Sequence, residues 1–179
     1  MSNMDKGKSL KKGKIIAAVC VCIVLAAAVI ITVNIVNSRP KIVGKNIAHE
    51  EINEFYYTIS TLKEPPYFLR YHFYNDEGKH MYTYEYREGE TRDDLPLTEE
   101  DITEQITVEL TDQQWSELMN LIDGGEAMKR GTDTSTGGDG PWTYIYWNGD
   151  KSLYQEYYFE NRDKLSAFED FCKELKEDN

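Results

Sequence analysis

Phe68-Leu69-Arg70-Tyr71-His72-Phe73-Tyr74 and Lys79-His80-Met81-Tyr82-Thr83-Tyr84-Glu85-Tyr86-Arg87, joined by Asn75-Asp76-Glu77-Gly78, decide the fold of this chain. Both runs are rich in aromatic residues, which suit a pleated, half-buried surface, and both alternate apolar with polar positions. The link has turn chemistry, with a glycine placed to take the left-handed conformation, so the pair reads as a β-hairpin on a type I turn. Pairing Asn75 with Lys79 sets Tyr74 against His80, His72 against Tyr82 and Arg70 against Tyr84. On that register Leu69, Tyr71, Phe73 and Met81 share the face expected to meet the core, and Tyr82, Tyr84 and Tyr86 lie on the other.

Similar signals continue on either side. Phe55 to Leu62 reads as a strand stopped by Pro65-Pro66, and Ile106 to Leu110 as a short alternating strand. Thr111 with Gln114 forms a capping-box pattern ahead of a helix whose Trp115, Leu118, Met119 and Ile122 share one face, ended by Gly124-Gly125. A second aromatic hairpin, Trp142 to Trp147 and Leu153 to Phe159, surrounds Asn148-Gly149-Asp150-Lys151. Asn161 then caps a helix from Arg162 to Lys176 with Leu165, Phe168, Cys172 and Leu175 along its apolar stripe. Glu88 to Glu104 and Lys129 to Gly140 read as loops. Because tight turns rather than helical crossovers join the strands, the expectation is an α+β domain over 46–179. It should hold a mainly antiparallel sheet of five or six strands with two helices on one face.

Ahead of that domain, Ile15 to Val36 is an apolar run without a charged residue, preceded by Lys6, Lys8, Lys11, Lys12 and Lys14. As a helix it reaches ~33 Å, enough for a hydrocarbon core of ~30 Å. A cleaved signal peptide has a shorter apolar core closing on small residues, whereas here Ala26-Ala27-Ala28 lie mid-run and the apolar stretch continues past them. The expected organisation is a basic cytoplasmic tail over 1–14, a single transmembrane helix in contact with the bilayer over 15–36, a linker over 37–45 and an extracytoplasmic domain. The lysine cluster sets the N-terminus inside. Ala18, Cys22 and Ala26 form a small-residue stripe on which two such helices could dimerise.

Charge and cysteine usage narrow the function classes. The chain holds 20 basic and 32 acidic residues, and setting aside the five lysines and one aspartate before Ile15 leaves a net charge of −16 beyond the tail. Such a field disfavours nucleic acid and other polyanions and favours basic or cationic partners, and the candidate partners are a basic peptide, a protein or a glycan. Cys172 is the only cysteine outside the apolar run, so no disulfide can form within the domain. On a helix stripe it reads as a core residue rather than a nucleophile.

The segment Gly140-Pro141-Trp142-Thr143-Tyr144-Ile145-Tyr146-Trp147-Asn148-Gly149-Asp150, with Tyr154-Gln155-Glu156 and the final helix, resembles uncharacterised membrane- or lipid-anchored surface domains of Gram-positive bacteria. The resemblance covers roughly the last seventy residues. It implies a cell-surface location and carries no established activity.

Motifs with chemistry are sparse. His72 and His80 would lie diagonally on one face, but two ligands do not close a metal site and His49 is remote in sequence. Asp133 to Asp139 departs from calcium-loop spacing and lacks its bidentate glutamate, which leaves weak calcium binding there, or at Asp93, Asp94, Glu99, Glu100 and Asp101, as a minor alternative. No metal or cofactor is therefore expected. Glu85 and Glu156 are the carboxylates nearest to a glycosidase-like pair. No nucleophile elbow, phosphate loop or dinucleotide motif is present. Tyrosine density remains, pointing to an aromatic binding platform made of Tyr82, Tyr84, Tyr86, Trp142, Tyr144, Tyr146 and Trp147. The reading is a membrane-anchored, non-enzymatic binding or interaction module; the alternatives are a surface-anchored hydrolase and an accessory subunit of a membrane complex.

Overall fold

Eight strands alternate with turns and two packed helices between Lys41 and Glu177. The computed structural model describes residues 20, 22–32, 39–129, 140–147 and 155–178. The strands are β1 (Lys41–Ile42), β2 (Ile52–Thr61), β3 (Tyr67–Asp76), β4 (Lys79–Glu88), β5 (Ile102–Glu109), β6 (Glu126–Lys129), β7 (Trp142–Trp147) and β8 (Gln155–Tyr158). They form one sheet in the order β1-β6-β8-β7-β2-β3-β4-β5, and every pair is antiparallel. The fold is therefore α+β as expected, but with eight strands rather than five or six. The additional strands are β1 and β6, too short to show any alternation of their own. Within 37–45, the expected linker, Lys41 and Ile42 pair with Ala127 and Glu126 while Val43 is buried. The second of the chain's two compact units accordingly begins at Pro40.

Both helices of this unit form where their caps and stripes demand. In α2 (Asp112–Ile122) the Thr111 hydroxyl accepts from the Gln114 N–H at 3.2 Å and the Gln114 side chain accepts from the Thr111 N–H at 2.9 Å. In α3 (Arg162–Glu177) the Asn161 side chain accepts from the Lys164 N–H at 2.9 Å. Each reciprocal or single cap satisfies amide donors that a helix start otherwise leaves open, worth about 1 kcal/mol. Trp115, Leu118, Met119 and Ile122 of α2 are buried, as are Phe168, Phe171, Cys172 and Leu175 of α3.

The core lies between these helices and one face of the sheet. The Phe168 ring meets Phe55, Tyr57 and Phe73 at centroid distances of 5.5, 5.4 and 6.0 Å. Tyrosines bury here because their hydroxyls find acceptors: Tyr157 donates to the Ile122 carbonyl at 2.7 Å, and Tyr82 to the Cys172 carbonyl at 3.3 Å. Tyr57 donates to Glu169. Each fully buried aromatic or aliphatic side chain contributes about 1.5–3 kcal/mol through water exclusion.

In the first compact unit, residues 22–32 form helix α1, with Ile23, Val24, Leu25, Val29, Ile30 and Ile31 exposed. Among the described residues no helix is long and apolar enough to cross a membrane. The expected span Ile15 to Val36 runs past the described residues at both ends, and the basic tail lies outside them. Of the expected dimer stripe, Cys22 and Ala26 sit on α1 and Ala18 falls outside the described residues.

Candidate functional site

The turn of the first hairpin is one residue shorter than the turn chemistry suggested, and this moves the expected platform. Asp76 pairs with Lys79, Tyr74 with Met81, Phe73 with Tyr82 and Tyr71 with Tyr84. The turn is therefore Glu77-Gly78, both with positive φ (48° and 87°), the two-residue geometry whose twist matches the flanking strands. A one-residue slip exchanges the faces of β4. Leu69, Tyr71 and Phe73 meet the core as expected; Met81 does not, and its place is taken by Tyr82 and Tyr84, which are buried, with Tyr86 half-buried beside them. Burial raises the Tyr82 phenol well above its ordinary value. These three rings cannot form an exposed platform.

The β7 residues divide. Tyr146 and Trp147 are buried, whereas Trp142 and Tyr144 are half-exposed on the sheet face opposite the helices. That face also carries a row of stacked side chains. His72 stacks on Tyr56 at 4.1 Å and on Tyr74 at 4.4 Å, and the Arg70 guanidinium lies 4.8 Å from the Phe68 ring and 5.8 Å from Tyr56. Tyr56 and His72 are cross-strand partners with nearly parallel rings, so their faces are spent on each other. The row is a self-packed layer rather than a stacking platform.

Beyond Tyr144↔Glu156 and Ile145↔Gln155, strands β7 and β8 stop pairing. Thr143 and Trp142 continue along β2, while Tyr157 and Tyr158 continue along β6. The sheet parts there into a cleft of about 450 Å³. Trp142 and the exposed Tyr158 wall it, Glu156 and Arg162 supply one charge of each sign, and Leu165 and Phe159 line it from the helix side. The Tyr158 hydroxyl donates to Glu156, and desolvation together with that carboxylate raises the phenol. Among the described residues of this unit Tyr158 and Met128 are the exposed large apolar ones, and both flank Glu156 on the same face.

Other candidates separate. His72 and His80 lie on opposite faces of the sheet, because His72 pairs with Thr83 and His80 with Asn75. His80 instead stacks on Trp115 at 4.2 Å, and His49 contacts Asp123 at 2.9 Å. Among the described residues no group of three acidic, histidine or cysteine side chains could hold a metal ion. Asp94 and Asp101 accept backbone amides of their own turns, from Thr91 at 2.7 Å and from Thr98 at 2.5 Å. The loop Asp133 to Asp139 lies outside the described residues. Glu85 and Glu156 share a face but stand four strands apart, ~19 Å at ~4.8 Å per strand, far beyond a glycosidase pair. Glu85 is engaged by Arg87 at 2.7 Å. Cys172 is fully buried, with its thiol pushed up by desolvation.

No family model, curated protein or solved structure matches the chain. Its function must be argued from the cleft. The signal for it was present in part: Trp142 and Glu156 were legible as candidates, but only the parting of β7 from β8 brings them together with Tyr158 and Arg162.

Proposed function

We propose that the chain is a membrane-tethered, non-enzymatic binding module of the bacterial cell surface, held by residues 15–36 with its N-terminus cytoplasmic, and that its cleft receives a neutral glycan fragment. What carries the reading is that Glu156 and Arg162 line one cleft together with Trp142 and Tyr158. Two aromatic side chains give a sugar ring apolar contact, while a carboxylate and a guanidinium grip its hydroxyls in both hydrogen-bonding senses. One charge of each sign favours an uncharged, hydroxyl-rich ligand over an ion. Net charge keeps polyanionic polymers away.

Titration of the full-length protein with an N-acetylglucosamine tetramer, read by tryptophan fluorescence and amide NMR, tests this. Saturable binding should perturb Trp142, Glu156 and Tyr158, vanish in Trp142→Ala and weaken at least tenfold in Glu156→Gln, the loss of a charge-assisted hydrogen bond worth about 1.5–3 kcal/mol. Unsaturable binding, or binding indifferent to both substitutions, overturns the reading.

A further inference from the structure

We infer that β5 is a docking edge for an extended, lysine- or arginine-bearing segment of a partner protein, which adds a ninth strand to the sheet. This surface is independent of the cleft. The sheet has two edges of very different character: β1 spans two residues and β5 spans eight.

On β5 the direction of the backbone groups follows from one bond. The Leu110 N–H donates to the His80 carbonyl at 2.7 Å, so alternation along an antiparallel strand turns Val108, Ile106 and Glu104 toward β4 and Glu109, Thr107 and Gln105 outward. These three outward residues are exposed. Among the described residues no backbone hydrogen bond reaches them from outside the sheet. Two of the usual protections of an edge, proline and lysine, are missing as well. Ile102–Glu109 contains no proline and no lysine, and its one irregularity lies at the far end, where Arg87 pairs with Ile102.

Side chains and charge choose the occupant. On the helix side Ile106 and Val108 are half-buried and packed against the core, leaving an aliphatic strip for every second residue of an incoming strand. Carboxylates border the edge at Asp101, Glu104 and Glu109, and the last two already draw cations, Lys176 at 2.8 Å and Lys79 at 2.5 Å. A second copy of this chain brings the same surplus of negative charge to the contact, whereas a basic strand relieves it.

The probe is the peptide acetyl-Lys-Val-Thr-Ile-Lys-Val-Thr-amide added to the full-length protein, with amide hydrogen exchange read residue by residue. Exchange at Gln105, Thr107 and Glu109 should slow at least tenfold. The effect should fade with added salt and disappear when the peptide's edge-facing amides are N-methylated. Thr107→Pro removes an outward donor without touching the β4 ladder and should abolish the effect; Thr107→Lys, which keeps the ladder intact, should weaken it by repulsion. Unchanged exchange at the three amides, equal binding by both variants, or protection that appears without peptide as the protein is concentrated into dimers each overturns the proposal.

Discussion

Phe73 and Tyr82 face each other across the first hairpin with ring centroids 5.0 Å apart, and both are fully buried. Phe73 also stacks against Phe171, so this cross-strand pair is the seat on which α3 rests. It fixes which side of β4 is inside, and with it which tyrosines are available to a ligand.

Truncating this pair tests the register directly. Tyr82→Ala should cost about 3–5 kcal/mol in urea unfolding, the range for a buried aromatic ring. Met81→Ala, on the opposite face, should cost less than about 1 kcal/mol. A larger loss at Met81 than at Tyr82 restores the three-residue turn.

The turn itself should respond to substitution in opposite senses. Glu77 has φ 48°, where a side chain is strained, so Glu77→Gly should raise stability by roughly 0.5–1 kcal/mol. Gly78→Ala should lower it by about 1 kcal/mol from backbone strain alone, since a methyl group there meets nothing within 4 Å. Equilibrium unfolding of both variants decides the matter.

Cys172 should be inert until the domain opens. In a Cys20→Ser, Cys22→Ser background, maleimide should label it slowly under native conditions and rapidly in denaturant. Cys172→Asp should destabilise by several kcal/mol, because an unpaired carboxylate would be buried.

Alkaline pH should weaken the fold. Burial raises the phenols of Tyr82 and Tyr157 and the Cys172 thiol. Below a pH of about 7.5 all three groups are protonated in both states and their contribution is complete; the thiol's share is the first to be lost, above about 8.5. Above about 10 the unfolded chain releases protons that the folded chain retains, so stability falls by about 1.4 kcal/mol per pH unit for each such phenol until the raised values are reached. Urea midpoints measured from pH 7 to 11 should be level at first and then decline; a level profile to pH 11 contradicts the burial of these hydroxyls.

Protease added outside intact cells should remove residues 40–179 while the remainder stays with the membrane. Release of a chain beginning near Asn37 into the medium without protease would instead identify Ile15 to Val36 as a cleaved signal.

Both helices were legible because each carries two agreeing signals, a cap and a stripe: Thr111 with Trp115 to Ile122, and Asn161 with Phe168 to Leu175. Strand identity was legible too, since aromatic alternation marks β2, β3, β4 and β7. Register was not, because Asn75-Asp76-Glu77-Gly78 admits two turns and the one adopted places a glutamate at positive φ. That single choice misassigned Tyr82, Tyr84 and Tyr86. The cleft was hidden for another reason: it arises where two strands diverge, and no local pattern records which partner a strand leaves.

Strand order also has a consequence for how the chain acquires its structure. The meander from β2 to β5 joins neighbours in sequence, whereas β7 seats itself beside β2 by pairing Ile145 with Phe55, about ninety residues earlier. Closing so long a loop costs entropy before any contact compensates, so insertion of β7 and β8 between β2 and β6 sets the pace of folding. During synthesis the meander emerges first and must wait, with Phe55, Tyr57, Phe73 and Tyr82 uncovered, until residues 142–177 arrive. The nascent chain is therefore sticky during that interval, and early translational arrest before α3 yields an aggregating product rather than a smaller folded one.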